Sequence, residues 1–405
     1  MCGVDGTRDL PMLSESLLSV RGATSYPRTA ALLPVYAQFP VRPVRGRGSW
    51  LIDENGDRWL DAYGGHAVAA TGHCHPEVVR AVSDQAAELL FYSTAVPHPL
   101  RDALAEKLVE LCPGSLARVF LCNSGAEANE NALHLARRYT GRQTIVSVKG
   151  GWHGRTAATL ACTDGQRYEA AAQRSGIPLS RKVPFDDIAS LELAVDEHVA
   201  AVIVEPVQGF AGARSCSVEF LRAARRVCSV HGAVLIFDEV QCGVGRCGAF
   251  TAAESFGVVP DVLTLAKGLA AGVPIGAVIA SEETTSSISL GDLGSTFGGG
   301  PLACAAALAN ISVIGNERLI DNAVQIGAHL TRGARELGVR QVSGRGLLLG
   351  LHLDRPAGDV QRELFGHRIL TGTSTDPAVL RLLPPLSFSR EEADILLTGL
   401  KDVLR

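Results

Sequence analysis

Two charged side chains directly follow apolar runs that are typical of buried strands. Residues 233–237 precede Asp238, and residues 262–266 precede Lys267. A carboxylate at such a position is costly unless it has a partner, which could be a metal ion, a basic side chain or a protonated ring nitrogen. Burial lowers the pKa of a lysine, which frees its amine for imine chemistry with a carbonyl compound. A structural ion pair is the plain alternative for each residue.

A third candidate lies earlier in the chain, where residues 118–122 read as a strand and a helix pattern follows. Ser124 can cap that helix, and Glu127 completes a capping box three positions later. Gly125 carries no side chain, so backbone N–H groups are accessible at the positive end of the helix dipole, where phosphate groups bind. An ordinary capped helix without a ligand has the same pattern.

These three features together match one cofactor. Pyridoxal phosphate needs a phosphate cradle, a carboxylate that keeps its pyridine nitrogen protonated, and a lysine that forms a Schiff base. Gly125 and Ala126, Asp238 and Lys267 supply these elements at the ends of predicted strands. The sequence therefore predicts a pyridoxal-phosphate enzyme.

The elements between residues 118 and 280 explain how these groups can meet. Short apolar runs alternate with helical patterns, which indicates βαβ units and an α/β fold with a mostly parallel sheet covered by helices. Ligands of such sheets bind at the carboxyl ends of the strands. The predicted strands are 118–122, 144–148, 200–205, 233–238, 262–266 and 275–280, and the predicted helices are 125–140 and 218–230.

The rest of the chain predicts a smaller α+β domain. An Asn-Gly pair at 55–56 predicts a hairpin, and a capping box at Ser389 and Glu392 begins a terminal helix. Further helices are expected at 77–90, 100–111, 301–314 and 318–337, and strands at 342–353 and 379–383. We expect an N-terminal tail (1–22), an N-terminal segment that joins the small domain (23–62), a large cofactor domain (63–312) and a C-terminal small domain (313–405).

Composition limits the possible partners and compartments. The chain has 405 residues, 38 Lys+Arg against 42 Asp+Glu, and 46% hydrophobic residues, which excludes disorder and argues against nucleic acid as a partner. Ten dispersed cysteines without CxxC pairs favour reduced thiols in the cytoplasm. No secretory signal and no apolar stretch near ~18 residues stand out, so we expect no membrane association.

Several motifs together make the sequence resemble the class III (ornithine-type) aminotransferases, and within them the acetylornithine aminotransferases. The resemblance covers residues 28–404. The motifs are GHCHP (72–76), NSGAEANE (123–130), WHGR (152–155), EPVQG (205–209), FDEVQCGVGR (237–246), LAKGL (265–269), STFGGGPLAC (295–304) and LRLLPPL (380–386).

The resemblance implies a fold-type-I, homodimeric enzyme with active sites at the dimer interface. It implies transfer of the ω-amino group of N-acetylornithine, or a close acyl-ornithine analogue, to 2-oxoglutarate in arginine or lysine biosynthesis. Alternative amino donors are succinylornithine, a carrier-bound lysine precursor, ornithine and 4-aminobutyrate. A decarboxylase, an aminomutase and a non-catalytic binding protein on the same scaffold are further alternatives.

The resemblance also implies roles for individual residues toward the cofactor. Lys267 would form the Schiff base and then shuttle the proton, and Gln241 would lie near the ring hydroxyl. The remaining implied cofactor contacts are Gly125 and Ala126 with the phosphate, Trp152 and Val240 on the two ring faces, Asp238 with the pyridine nitrogen, and Thr296 with the phosphate across a dimer interface.

Three residues would contact substrate by the same resemblance. Ser295 would touch it, Arg155 would bind a substrate carboxylate, and Arg381 would bind the α-carboxylate of glutamate or 2-oxoglutarate. Arginine suits this role because its planar fork binds carboxylates in a bidentate way.

The chain departs from the family pattern at three positions. Phe210 stands where Glu is common, so we expect Arg381 to lack that acidic partner. Gly300 replaces a usual Asn, and His66 replaces an aliphatic or aromatic residue. With His73 and His75, His66 could suggest a metal site, but no carboxylate or Cys cluster stands at ligand spacing, and we expect turn and capping roles.

Overall fold

The computed structural model describes residues 31–33 and 35–405, so the predicted tail 1–22 lies outside the described residues. The strands are β1 (Pro43–Arg47), β2 (Trp50–Asp53), β3 (Arg58–Asp61), β4 (Leu116–Cys122), β5 (Thr144–Val148), β6 (Arg181–Val183), β7 (Val199–Val204), β8 (Val207–Gln208), β9 (Arg214–Ser215), β10 (Val234–Asp238), β11 (Val262–Leu265), β12 (Gly276–Ser281), β13 (Gln341–Arg345), β14 (Leu348–His352), β15 (Ile369–Leu370), β16 (Gly372–Thr373) and β17 (Val379–Leu382).

The helices connect and cover these strands. They are α1 (Gly64–Ala67), α2 (Pro76–Glu88), α3 (Pro99–Leu111), α4 (Gly125–Thr140), α5 (Ala157–Cys162), α6 (Gln166–Arg174), α7 (Ile188–Ala194), α8 (Val218–His231), α9 (Ala252–Phe256), α10 (Glu282–Thr285), α11 (Pro301–Asn316), α12 (Leu319–Glu336), α13 (Ala357–Gly366) and α14 (Arg390–Val403), with a 3₁₀ turn at Lys267–Ala270.

The central sheet has seven strands in the order β4-β12-β11-β10-β7-β5-β6. Only β12 runs antiparallel to its neighbours, so the α/β class and the mostly parallel sheet are confirmed. Every residue of β7 and β10 is buried. Alternate residues of β10 pack in different clusters: Val234 and Ile236 pack with the side of α4, and Leu235 and Phe237 with the side of α8. Coverage of both faces explains why these strands are apolar throughout.

Two boundary results show where the sequence pattern was strong and where it was weak. The capping box at the start of α14 is present, because Ser389 accepts from the N–H of Glu392 and the Glu392 carboxylate accepts from the N–H of Ser389. The edge strand β6 was missed, because it has three residues and two of them are charged.

Three smaller sheets accompany the central one in the described residues: the two-stranded pair β8-β9 and two sheets of four strands each. The predicted hairpin is present as β2 and β3, and β3 also pairs in parallel with β15 from the other end of the chain. The second sheet has the order β13-β14-β17-β16, and β17 carries Arg381 between Gly350 and Gly372 of its two neighbours. The domain boundaries given above stay a prediction.

Two findings concern composition. The nine cysteines among the described residues are free thiols, and seven of them are buried. Within the same part of the chain, no helix combines the length and apolar character that crossing a bilayer requires.

Candidate active site

The carboxyl ends of β10 and β11 open onto a cavity of about 1720 Å³. The two strands are parallel, with Asp238 opposite Thr264, so Asp238 and Lys267 emerge at the same edge of the sheet. Seven of the predicted site residues line this cavity, namely Trp152, Arg155, Asp238, Val240, Gln241, Lys267 and Arg381.

Asp238 is 2% exposed and is held by a hydrogen-bond network. Its Oδ2 accepts from Asn129 Nδ2 at 2.7 Å and lies 2.8 Å from His153 Nδ1, and its Oδ1 accepts from the N–H of Val240 at 3.0 Å. Thr264 Oγ1 in turn donates to Asn129 Oδ1 at 2.7 Å. Hydrogen bonds of this kind stabilise the ionised form of a carboxylate. For His153 to donate one of them, its Nδ1 must carry the proton. The network fixes the direction of this carboxylate.

Lys267 begins the 3₁₀ turn in an uncommon backbone conformation. Its φ is +41°, in the left-handed region, which non-glycine residues seldom adopt and which concentrates at functional sites. Burial lowers the pKa of the Lys267 amine, and this effect outweighs the opposing influence of Asp238 and Glu205. A lowered pKa increases the fraction of neutral, nucleophilic amine.

The start of α4 is a capped helix N-terminus at the position where a phosphate seat is predicted. Ser124 Oγ accepts from the N–H of Glu127 at 3.2 Å, and the Glu127 carboxylate accepts from the N–H of Asn123 at 3.0 Å. Among the described residues, no acceptor bonds the N–H groups of Gly125 and Ala126. Two free N–H groups at the positive end of a 16-residue helix can bind an anion.

The structure gives Gly125 a second reason for being glycine. A Cβ at this position would lie 2.5 Å from Val240 Cγ1, so a larger residue would displace the Val240 side chain. Gly125 therefore lets the start of α4 pack closely against Val240, the residue predicted to contact one face of the cofactor ring.

Trp152 and Gln241 occupy different walls of the cavity. The Trp152 ring lies 4.8 Å from the Phe210 ring and 5.0 Å from the Tyr168 ring, measured between centroids. Gln241 Nε2 donates to the backbone oxygen of His66 at 3.3 Å, and Gln241 Oε1 accepts from Arg381 Nη1 at 3.4 Å. Gln241 is thus in contact with Arg381, the arginine predicted to bind the α-carboxylate of glutamate or 2-oxoglutarate.

The two predicted carboxylate-binding arginines differ in burial. Arg155 is exposed; its guanidinium lies 4.9 Å from the Trp152 ring centroid and donates to Tyr36 Oη at 3.1 Å. Arg381 is 2% exposed, and burial lowers its pKa to about 10, so it is protonated at neutral pH. Both guanidinium groups reach the cavity that contains Lys267.

Ser295 and Thr296 are not among the residues that line this cavity. Ser295 Oγ accepts from Asn123 Nδ2 and from the N–H of Gly298, both at 3.0 Å, which places it near the start of α4. Thr296 is exposed. Its expected contact across a dimer interface requires a second chain and stays a prediction.

Three residues with evident roles were missed from the sequence. His153 and Asn129 hold Asp238, and Glu205 is a cavity residue whose carboxylate accepts from the N–H of Trp152 at 2.7 Å and from that of Gly209 at 3.2 Å. Burial raises the pKa of Glu205, and Asp238 raises it further. Each of these three residues lies inside a motif quoted above, so the motifs were the sequence signal that could have identified them.

His66, His73 and His75 have separate partners rather than a shared site. His66 contacts Tyr63 Oη, His73 lies 2.7 Å from Asp61, and His75 lies 3.0 Å from Glu317. No cluster of metal-ligating side chains occurs in the part of the chain that the structure describes. His66 does line the cavity, where burial and three nearby cations lower its pKa to about 4.

The residues present fit pyridoxal phosphate. The free N–H groups of Gly125 and Ala126 suit its phosphate, the fixed carboxylate of Asp238 suits a protonated ring nitrogen, and the amine of Lys267 suits its aldehyde. These groups follow three strands of one sheet, as the strand-end argument requires.

Comparison with known proteins gives the same result. The family model "Aminotransferase class-III" matches residues 34–404. The acetylornithine aminotransferase of Methanocaldococcus jannaschii is 42% identical over 387 residues, covering 92% of this chain and 95% of that protein. Acetylornithine aminotransferase 1 of Bordetella bronchiseptica is 43% identical over 380 residues, covering 90% of this chain and 95% of that protein.

A solved structure agrees with these relatives. The ornithine aminotransferase of Toxoplasma gondii, a structure with pyridoxal phosphate at partial occupancy in its active site, superposes with a TM-score of 0.87 at 32% identity. The match covers 93% of this chain and 92% of that one. By sequence, fold and the arrangement of its cavity, the chain belongs to the class-III aminotransferases.

Proposed function

We propose that this pyridoxal-phosphate-dependent aminotransferase moves the ω-amino group of N-acetylornithine to 2-oxoglutarate, in arginine biosynthesis. The observation that carries this proposal is a pair of guanidinium groups, Arg155 and Arg381, in the cavity that contains Lys267. The relatives at 42–43% identity are named acetylornithine aminotransferases, which supports the same donor.

The two arginines suit two different carboxylate-bearing substrates. Arg155 binds the carboxylate of the amino donor at the exposed side, where Tyr36 and Trp152 flank the guanidinium. Arg381, deeper in the cavity, binds the α-carboxylate of 2-oxoglutarate. An acylated α-amine is neutral, so it avoids the repulsion that a free α-ammonium would meet beside Arg155.

The chain's own groups hold the cofactor and move the proton. When bound, pyridoxal phosphate supplies an aldehyde that takes up the amino group and a ring that withdraws electrons from the adjacent carbon. Asp238, oriented by His153 and Asn129, keeps the ring nitrogen protonated. The Nζ of Lys267 would take the proton from the donor's amine-bearing carbon and deliver it to the cofactor's former aldehyde carbon, on the other side of the shared nitrogen, because its lowered pKa allows both transfers.

We also propose a homodimer in the cytoplasm. Leu90, Tyr92 and Phe297 are large apolar residues with 61%, 52% and 64% exposure, and the Phe297 ring stacks on Phe91 at 5.1 Å. Phe297 follows Thr296. A second chain packed on this face would therefore bring Thr296 to the phosphate of the partner's cofactor and Ser295 near the partner's substrate. A sedimentation mass of a single chain would contradict this arrangement.

A panel of amino donors tests the substrate. Purified holoenzyme is assayed with 2-oxoglutarate and, in turn, acetylornithine, succinylornithine, ornithine or 4-aminobutyrate. We expect acetylornithine to have the highest kcat/KM, and a higher value for another donor would replace it as the substrate. Lys267→Ala is the control, and it should lose at least ~10⁴-fold of turnover with every donor.

A further inference from the structure

Arg381 is a buried cation whose recorded hydrogen-bond acceptors are all neutral. Its Nε donates to the backbone oxygen of Thr373 at 2.6 Å, and its Nη1 donates to the backbone oxygen of Gly209 at 3.1 Å and to Gln241 Oε1 at 3.4 Å. Within residues 31–33 and 35–405, other basic side chains form ion pairs with Asp or Glu, but Arg381 forms none. A buried charge is normally paired.

Phe210 covers this guanidinium with an apolar ring. The Arg381 Cζ lies 5.2 Å from the Phe210 centroid, within the range of a cation–π contact. Phe210 also packs on Trp152 at 4.8 Å, and Arg155 lies 4.9 Å over the other ring of that pair. The aromatic pair therefore separates the two guanidinium groups without neutralising either.

Glu205 bonds to the backbone at or next to both members of the aromatic pair. Its two carboxylate oxygens accept from the N–H of Trp152 and from that of Gly209, the residue before Phe210. The Glu205 carboxyl is thus already bonded to the backbones of both loops; it opposes the lowering of the Arg381 pKa but forms neither an ion pair nor a hydrogen bond with Arg381 among the residues that the structure describes.

We propose that Phe210 makes Arg381 a permanently available carboxylate site, so that five-carbon dicarboxylates bind the enzyme with equal strength whichever form of the cofactor is present. An incoming carboxylate gains charge-assisted bonds to Arg381 and displaces no anionic side chain in either state. 2-Oxoglutarate then competes with the amino donor for the pyridoxal form. This inference rests on the proposed function only in taking 2-oxoglutarate as the acceptor.

Glutarate is the probe, because it has the length and both carboxylates of 2-oxoglutarate but neither an amine nor a keto group. Apoenzyme is loaded with pyridoxal phosphate or, separately, with pyridoxamine phosphate, and glutarate binding is measured by calorimetry on each. We expect the two Kd values to agree within about threefold. A wild-type pyridoxal form that binds glutarate more than tenfold more weakly than the pyridoxamine form overturns the proposal.

Substitution at Phe210 provides a second, independent measurement. Phe210→Glu places an anion against Arg381 and should weaken glutarate binding to the pyridoxal form at least tenfold. Phe210→Gln, of matched size but neutral, should keep the Kd within about threefold. Equal Kd values for the Glu and Gln variants would also overturn the proposal, and the wild-type comparison decides if a variant does not fold.

The test is independent of the amino donor. No donor enters the glutarate titrations, so failure of acetylornithine in the donor panel leaves these results interpretable. In wild-type enzyme we further expect 2-oxoglutarate to inhibit the donor half-reaction competitively, with an inhibition constant close to the Kd of glutarate.

Discussion

The cofactor end and the substrate end of the cavity are built in different ways. At the cofactor end, Asp238 sits on a central strand and accepts three hydrogen bonds from neighbouring elements. At the substrate end, Arg155 and Arg381 come from a loop and from a separate small sheet, and both lie over aromatic rings. The first arrangement holds one carboxylate in one direction. The second holds two guanidinium groups whose recorded partners are neutral groups and aromatic rings.

The largest effect is expected from breaking the cofactor end. Asp238→Asn keeps the shape and most hydrogen bonds but removes the charge that stabilises a protonated ring nitrogen. We expect kcat to fall by ~10²–10³ with every amino donor alike. Steady-state kinetics with acetylornithine and with glutamate measure this loss, and a loss confined to one donor would contradict the separation of the two ends.

An intermediate effect is expected at the substrate end. Arg155→Lys keeps the charge but loses the bidentate fork, so KM should rise by about tenfold while kcat stays within about threefold. Arg118→Lys is the matched control, because Arg118 pairs with Glu282 at an exposed site. A fall in kcat as large as the expected rise in KM would show that Arg155 acts on the reaction step instead.

A further effect, on stability instead of catalysis, concerns Glu205, whose carboxyl bonds to the backbones next to both aromatic rings. Burial raises its pKa above the ordinary 4.5, so the folded chain binds this proton at pH values where the unfolded chain has released it. The free energy of unfolding therefore decreases as pH rises from about 4.5 until the buried carboxyl has ionised. Glu205→Gln lacks this contribution, and its stability should gain relative to wild type by ~1–3 kcal/mol between pH 5 and pH 8.

Urea unfolding of the apoprotein at several pH values measures that difference. Glu106→Gln, at an exposed position on α3, is the control and should follow the wild-type pH dependence. A Glu205→Gln curve parallel to wild type would show that this carboxylate is ionised at the same pH in both states.

The residue pattern itself predicted Asp238 and Lys267 at the cofactor end, whereas Arg155 and Arg381 at the substrate end were predicted only through the family resemblance, and their surroundings were not predicted. Asp238 and Lys267 follow largely apolar runs, and parallel strands bring their carboxyl ends to one edge by geometry alone. The hydrogen bonds from His153 and Asn129 depend on side-chain directions across different elements, which periodicity does not report. The stacking of Phe210 on Arg381 joins positions 171 residues apart, so it required the folded chain.

Positions that depend on a second chain form a separate class. Ser295 and Thr296 were assigned through a resemblance, and a single chain places the first beside Asn123 and the second at the surface. Their predicted contacts are intermolecular, so neither the sequence pattern nor the fold of one chain can test them.

The strand register of the small sheet determines that Arg381, and not a neighbouring leucine, faces the cavity. Arg381 faces Gly350 on one neighbouring strand and Gly372 on the other, and added methyl groups there would meet Gly212 O at 2.3 Å and the Tyr63 ring at 2.9 Å. A shift of β17 by one residue would replace the guanidinium with the side chain of Leu380 or Leu382, so that an apolar surface would stand where the cation is now. If Arg381 binds the substrate carboxylate as proposed, selectivity depends on the backbone register of this small sheet.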